Sequence, residues 1–389
     1  MYEMYDYLVV GTGLSGAVVG RYLAEQKNAK VLMYEKRRHI AGNIYDYYDK
    51  NGIMVQKYGP HIFHTSIKRV EEYVKRWCPW NSFYLECSVY MNGKYTPSPF
   101  NFSTIDTFFS AKKAEMIKKH IALEYGSLDK ATIVQMLNST DAVVKEYAKF
   151  LYDNDYRLYT AKQWGISPDE IDISVLQRVP VLFSYKTGYF DDSFQAMPEG
   201  GFTKFVQKIL KHPNITIKCG INAAEKLYID KGKIYTEGHG AIPVVYTGPL
   251  DELFGYKYGK LPYRSLRFEW KTLGIDSYQK TPVVAYPQEP GYTRITEYKK
   301  LPPQQKKDKT TIALEYPLPV NDSEELEPYY PVPTDENKTQ YLKYRRITDS
   351  LDNFYICGRL AEYKYYNMDQ AIDRAFELCN MLENKKKLC

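Results

Sequence analysis

The sequence predicts an α/β protein in which a Rossmann-like nucleotide-binding domain is interrupted by a helical segment and by an antiparallel sheet. Three observations predict it. The stretch YLVVGTGLSGAVVGRYL, residues 7–23, runs four hydrophobic residues into glycines at 11, 13 and 16 and then into an apolar helical pattern. Residues 104–163 hold helical periodicity with few prolines, as in IVQMLNSTDAVVKEYAKFLY. Residues 181–190 and 263–316 alternate β-branched and aromatic residues with polar ones, the pattern of antiparallel strands with one exposed face.

Taken in order, residues 7–10 are expected to form a buried strand and 14–25 the helix it feeds. A second strand over 30–34 ends at Glu35, at the distance of a ribose-binding carboxylate from the first glycine. Gly11 permits the tight turn, Gly13 lets backbone approach a pyrophosphate, and Gly16 lets helix and strand pack closely; the helix N-terminus with Leu14 and Ser15 supplies oriented N–H groups. This βαβ opening predicts a dinucleotide. FAD is favoured over NAD, because a long cofactor needs further contacts after the second strand and near the C-terminus. KRRHIAGN at 36–43, with Lys36, Gly42 and Asn43, and CGR at 357–359 stand at those places.

Residues 321–337, rich in Pro, Glu and Asp, read as a loop, and 353–357 as a short strand reaching Gly358 and Arg359. A helix over about 368–382 follows, with Asn367 or Asp369 near its N-cap, and Lys385–Lys387 read as a solvated tail. The last strand and helix are expected to partner the first βαβ unit. The nucleotide domain is then discontinuous: 1–80, 195–255 and 345–389. The helical domain spans 103–177, and the sheet domain 81–102, 178–194 and 256–344.

A chain of 389 residues accommodates two or three domains. A net charge of +6 fits an anionic small-molecule substrate, but a solvated surface explains it equally, and nothing marks a nucleic-acid partner. The 39 tyrosines suit a site for sugars or bases, although most must serve packing and surface. Cysteines at 78, 87, 219, 357, 379 and 389 show no CxxC and no metal-ligand rhythm, which favours free thiols in the cytosol. The first residues lack a basic n-region and no apolar run approaches a membrane span, so a cytoplasmic protein without membrane insertion is expected. His61 and His64 form an HxxH, but no third ligand accompanies them and Gly59-Pro60 favours a rigid loop, so no metal is expected.

Further motifs recur along the chain: HIAGN (39–43), KYGPHIFHT (57–65), YTAKQWG (159–165), TGPLDELFGYKYGKLPYRSL (247–266), YTRITE (292–297), LEY (314–316), YYP (329–331) and GRLAEYKYYNMD (358–369). On these, nearly end to end, the chain resembles the bacterial flavin-dependent UDP-galactopyranose mutases. The resemblance implies an FAD-binding α/β domain, a helical domain and a twisted antiparallel sheet. It implies an isomerase that interconverts UDP-galactopyranose and UDP-galactofuranose through an adduct of the anomeric carbon with N5 of reduced FAD. There is no net redox, and the product supplies galactofuranose for surface polysaccharide. The flavin needs prior reduction, by NAD(P)H or a flavin reductase system. Bacterial members of the family are often homodimers, and the sequence itself marks no interface.

The resemblance assigns roles. Arg294 and Arg359 match arginines near the diphosphate and flavin and, with His64, are the catalytic candidates. Gly11, Gly13, Leu14, Ser15, Gly16, Glu35, Lys36, Gly42, Asn43, His61, Ile62, Gly358, Arg359, Asn367, Met368 and Asp369 are expected on the cofactor. Tyr159, Thr160, Trp164, Tyr189, Arg264, Arg294, Tyr330 and Tyr365 are expected on the substrate. The chain also departs from the family pattern. Leu182 replaces a diphosphate arginine, for which Lys162 or a neighbouring basic group could compensate. Asp155 replaces the aromatic residue that packs on uracil, and Leu158, Ala285, Asn367, Tyr298 and Gln56 also differ. Three readings therefore stand beside the main one: the same ring contraction on another nucleotide sugar such as dTDP-fucopyranose, a flavin oxidoreductase, and a non-catalytic nucleotide-sugar-binding flavoprotein.

Overall fold

The computed structural model describes residues 4–164, 179–318, 327–332 and 334–385. At its centre lies a five-stranded sheet in the order Ile215–Cys219, Val31–Glu35, Tyr7–Val10, Val244–Tyr246, Phe354–Ile356, with every neighbouring pair parallel. The three central strands are covered on both faces, which is why they read as unbroken apolar runs rather than alternations. The helix Leu14–Gln26 buries Ala17, Val18, Val19, Leu23 and Ala24. It packs between the helices Phe202–Leu210 and Met368–Lys385. The last strand thus joins the opening unit through Val244–Tyr246, not directly, whereas the last helix touches the first.

The helical part comprises Phe102–Phe108, Ala111–Tyr125, Ile133–Leu137, Ala142–Leu151 and Arg157–Trp164. Apolar residues at helical spacing, such as Ala114, Ile117 and Ile121 or Val144, Tyr147 and Leu151, meet in a core of their own. Caps break the chain into pieces: Asp141 accepts from the N–H groups of Val143 (2.8 Å) and Val144 (3.1 Å). A single π-helical turn, Tyr152–Tyr156, leads into the last piece.

A seven-stranded sheet runs in the order Tyr330–Pro331, Tyr263–Leu273, Thr310–Leu318, Arg294–Glu297, Val283–Ala285, Cys87–Met91, Lys94–Ser98. Its neighbours are antiparallel except where Val283–Ala285 meets Cys87–Met91. Those two strands are joined through the whole helical segment, and so long a crossover permits a parallel pairing that a tight hairpin would forbid.

Two further expectations are corrected. Within 181–190 only Pro180–Leu182 forms strand, paired with Lys130–Thr132, and Gly188 bridges Glu86. The aromatics that suggested a ladder pack elsewhere instead: Phe183 on Tyr125, Tyr185 on Phe102, Phe190 on His64. The expected loop 321–337 ends in a helix, Asp335–Asp349, which crosses the expected boundary at 344/345. Thr334 caps it by accepting from Asn337 N at 3.2 Å, with Asp335 and Glu336 in its first turn. Proline and acidic residues are as much a helix start as a loop. Residues 321–326 and 333 of that loop, the end of the expected helical domain, 165–177, and the tail from 386 lie outside the described residues.

Candidate active site

The carboxyl ends of the five parallel strands open into a cavity of about 1130 Å³, a size that suits a dinucleotide. Backbone builds its floor. Gly11 has φ +95°, and a Cβ there would stand 2.1 Å from Thr247 Oγ1. A Cβ on Gly16 would meet the Gly11 carbonyl oxygen at 2.0 Å, so the helix can approach the strand only with glycine. Gly13 and Gly42 face one another: a Cβ on Gly42 would meet the Gly13 Cα at 3.1 Å. The helix starting at Leu14 has no side-chain cap, and its N-terminus lines the cavity together with that of the helix starting at Met368. Two oriented sets of N–H groups therefore converge where a pyrophosphate would lie.

Glu35 stands at the end of its strand, buried. Oε2 accepts from Thr12 N (2.9 Å) and Thr12 Oγ1 (2.6 Å), and Oε1 from Arg37 N (3.0 Å). Oε2 is filled by two donors, whereas Oε1, with one, keeps acceptor capacity for a ribose hydroxyl. Arg37 lies 4.2 Å over the Tyr58 ring and donates to Asn43 Oδ1 (2.8 Å) and Glu327 Oε2 (2.7 Å). Lys36 pairs with Glu252 at 2.6 Å. At the far end Gly358 (φ +97°) lies against Ser15, its N–H bound to Glu362 Oε2 at 3.0 Å. Glycine cradle, paired helix starts and acidic ribose position together fit FAD. Ile62 and Asp369 do not reach this wall: Ile62 is packed in the core, and Asp369 Oδ1 accepts from Gln370 N at 2.8 Å. All the other residues expected on the cofactor line the cavity.

The substrate candidates form a second cluster that touches the first through His61 and Arg359. Both line the cavity. The charges of Arg359 and Arg294 reach His61, and with burial as the larger cause they press its pKa down to about 4. Arg294 stands directly across the ladder from Glu315, with Nε and Nη2 each 2.8 Å from Oε2. Burial by itself would lower the Arg294 pKa, but the Glu315 carboxylate, together with Tyr159 and Tyr330 in reach of its field, raises it and keeps the guanidinium charged. Arg359 sits over the rings of Tyr330 (4.6 Å) and Tyr365 (5.2 Å), which stack on each other at 5.5 Å. Carbonyls of Tyr366 and Tyr329 hold its guanidinium. Arg264 pairs with Tyr330 across the sheet edge.

Tyr159 and Thr160 lie on the helix Arg157–Trp164; the side chain of Trp164 is outside the described residues. Burial raises the Tyr159 phenol, and Tyr189 and Asp155 are within its electrostatic reach. Tyr189 donates its N–H to the Leu85 carbonyl at 2.9 Å.

His64 is not on the cavity wall. On the strand Phe63–Thr65, period-two alternation buries Phe63 and Thr65 and turns His64 to the other face. Its Nδ1 lies 2.7 Å from Asp192 Oδ2 and its ring stacks on Phe190 at 3.7 Å. Leu182 is buried in the helical region, its N–H bound to the Phe100 carbonyl at 2.8 Å. Lys162 does not stand free to replace an arginine: its ammonium is caged by the carbonyls of Tyr286 (2.5 Å), Glu289 (2.7 Å) and Tyr292 (2.9 Å). Burial lowers its pKa to about 8 and raises that of nearby Asp155 to about 7.

Sequence reasoning passed over Glu315, Arg37, Tyr58 and Tyr329. Glu315 lies inside a quoted motif and would have been found from the register of two strands. Arg37, Tyr58 and Tyr329 also lie inside quoted segments, but their roles depend on partners remote in the chain.

A family model described as UDP-galactopyranose mutase matches residues 154–365, and one described as an NAD(P)-binding Rossmann-like domain matches 9–77. The UDP-galactopyranose mutase of Mycoplasma pneumoniae is 32% identical, aligned over 98% of this chain and 97% of its own. The dTDP-fucopyranose mutase of Escherichia coli is 33% identical over 99% and 100%. Among solved structures, reduced UDP-galactopyranose mutase superposes with a TM-score of 0.71 at 17% identity, over 98% of this chain and 96% of that one. A putative protoporphyrinogen oxidase from Exiguobacterium gives 0.64 at 12% identity, over 99% and 100%. The chain belongs to the UDP-galactopyranose mutase family of enzymes.

Proposed function

We propose that this enzyme interconverts UDP-galactopyranose and UDP-galactofuranose on a reduced FAD held in the cavity, with no net redox. One observation carries the reading: the Arg294–Arg359–tyrosine cluster adjoins the glycine cradle through His61. When bound, reduced FAD supplies the nucleophile for the anomeric carbon. Gly11, Gly13, Gly16, Gly42 and the two helix starts hold its pyrophosphate, Glu35 its ribose, and Gly358 and Met368 the end of the cavity. Arg359, fixed by two carbonyls and two rings, and Arg294, fixed by Glu315, keep UDP bound while its bond to the sugar is broken and remade. Tyr330 and Tyr365 donate to the diphosphate. Tyr159, Thr160, Tyr189 and Arg264 line the nucleotide and sugar pocket. His64, turned to Asp192, steadies the loop that carries His61 and makes no contact with the reacting atoms.

The discontinuous nucleotide domain, drawn from 1–80, 195–255 and a C-terminal segment that begins with the helix Asp335–Asp349, is part of this proposal, with 103–177 and the remaining sheet segments as the other parts. It is supported by the five-stranded sheet, which draws its strands from those three N-terminal, middle and C-terminal segments. Among the described residues no helix is long and apolar enough to cross a membrane. Free Cys78, Cys87, Cys219, Cys357 and Cys379 support a cytoplasmic site of action, where NAD(P)H or a flavin reductase primes the cofactor.

A second reading keeps the chemistry and changes the donor to dTDP-fucopyranose. It is favoured by the buried carboxyl of Asp155 and by a relative with that activity that is equally similar. Incubating the reduced flavoprotein with a panel of UDP- and dTDP-sugars decides the matter. Galactofuranose product supports the first reading and fucofuranose the second; net oxidation of a sugar, or no furanose from any donor, overturns both.

A further inference from the structure

The HIFH segment is tied to the body of the protein by a relay of side chains that none of the roles above uses. His61 lines the cavity and lies within the electrostatic reach of two arginines. Its main chain is gripped at both polar atoms by one residue. Gln56 Oε1 accepts from His61 N at 2.5 Å, and Gln56 Nε2 donates to the His61 carbonyl at 3.0 Å. Gln56 is 1% exposed, so this amide has no water to turn to. The donor on one side and the acceptor on the other fix which way round it sits.

The grip is itself held from behind. Tyr298, fully buried, donates its hydroxyl to the Gln56 carbonyl at 3.0 Å. Gln304 repeats the same two-point hold two residues earlier: it accepts from Met54 N at 2.7 Å and donates to the Met54 carbonyl at 3.0 Å. It also reaches the Tyr298 carbonyl at 2.9 Å. The strand Met54–Gln56 is thereby stitched to the turn that follows the large sheet's strand Arg294–Glu297.

The consequence falls on the imidazole. His61 Nδ1 lies 2.8 Å from the Gly59 carbonyl, which can only accept, so Nδ1 carries the proton. With the ring neutral beside two guanidinium groups, Nε2 is a bare lone pair. A main chain free to rotate at His61 would let the ring leave Gly59 and exchange tautomers; a clamped one does not. We propose that Gln56, backed by Tyr298, is a positioning residue that locks the His61 peptide and with it the tautomer presenting an unprotonated Nε2 to the cavity. That nitrogen then takes a hydrogen bond from an N–H or O–H donor of the cofactor or the sugar, a step that rests on the mutase reading. The lock itself does not.

The test labels histidine with ¹⁵N in the flavin-loaded protein and reads the tautomer from long-range ¹H–¹⁵N couplings, with His61→Gln to assign the signal. In the wild type a proton on Nδ1 and none on Nε2 is expected near neutral pH. A proton on Nε2 there overturns the proposal without any further variant. In Gln56→Met, of similar volume but unable to grip, His61 is expected to become a tautomer mixture. kcat should fall about 10- to 100-fold, with KM within about threefold. Should that variant fail to fold, Tyr298→Phe removes only the hydroxyl behind Gln56 and is expected to shift the same signal less far. An unchanged His61 signal in the folded variant overturns the lock while leaving the mutase intact. A protein that makes no furanose from any donor overturns the mutase reading and leaves the tautomer result standing.

Discussion

The glycine cradle and the arginine–tyrosine cluster meet at one cavity yet are built in opposite ways. In the cradle the working atoms are main-chain N–H groups, and side chains matter by their absence: no Cβ fits at Gly11 or Gly16. In the cluster the working atoms are guanidinium and phenol tips, each aimed by a partner far away in sequence, such as Glu315 behind Arg294 or the Tyr366 carbonyl behind Arg359. A backbone site fails as a unit when crowded. A side-chain site loses function one group at a time and can change its donor without losing its cofactor.

The largest expected effect crowds the cradle. Gly16→Val places a branched side chain against the Gly11 carbonyl, which a Cβ alone already meets at 2.0 Å, and neither strand nor helix can retreat from a sheet packed on both faces. Flavin content after purification should drop at least about tenfold, as read from absorbance per mole of protein. Normal flavin content would mean that this glycine does not set the floor of the cofactor site, and the contrast with the cluster would fail.

Next comes Arg294→Lys. Alanine is the wrong choice, because the Glu315 side chain, 4% exposed, would be left as an uncompensated buried charge at a cost of about 3–5 kcal/mol. Lysine keeps the charge but cannot engage Glu315 and a phosphate with one rigid fork. Turnover of the reduced enzyme is expected to fall at least about 100-fold with flavin content unchanged. Loss of flavin instead would move Arg294 from the cluster into the cradle.

The same contrast explains what the sequence made legible. The cradle is local: strand, glycines, helix and Glu35 follow within 29 residues, so spacing alone implied strand, turn, helix and ribose carboxylate. The cluster is assembled by registers that no single segment contains. Arg294 finds Glu315 only because two strands pair antiparallel at that offset, and Arg37 finds Glu327 across most of the chain. Gln56 could be noticed as unusual from its motif, but its hold on His61 depends on a turn at Gly59-Pro60 whose shape the sequence leaves open. Residues 183–190 misled for a related reason: aromatic residues that look ready for a ladder were claimed by neighbouring helices and by His64.

A smaller effect sharpens the cluster's pH behaviour. Asp155, on the π-helical turn, has a pKa raised by burial from 3.8 to about 7, with the Lys162 charge opposing. A carboxyl whose folded pKa lies above its unfolded one is no burden below about pH 4. It costs more as pH rises toward 7, and a constant amount above that, as much as about 4 kcal/mol. Asp155→Asn removes the cost and also forfeits the attraction to Lys162, which trims the gain. The variant should therefore melt several degrees higher than wild type at pH 8, with the gap closing at pH 4. A gap that is equal at both pH values would show that Asp155 ionises in the folded protein as it does unfolded.

The smallest effect is expected at His64, and it tests where the cluster ends. His64 and His61 are three residues apart, but the strand Phe63–Thr65 sends the His64 ring away from the cavity, onto Phe190 and toward Asp192. Ser66 Oγ binds the other oxygen of that carboxylate at 2.9 Å, so the ring belongs to a surface-side brace. Asparagine in its place still donates to Asp192 and removes the imidazole and any acid–base role with it. His64→Asn should thus keep kcat within about threefold of wild type, with full flavin content and a melting temperature a few degrees lower for the lost stacking. A hundredfold loss of turnover in a flavin-replete, folded variant would place an acid–base group on the face of the strand that the geometry turns outward. The boundary between brace and reacting cluster would then have to be redrawn through Asp192.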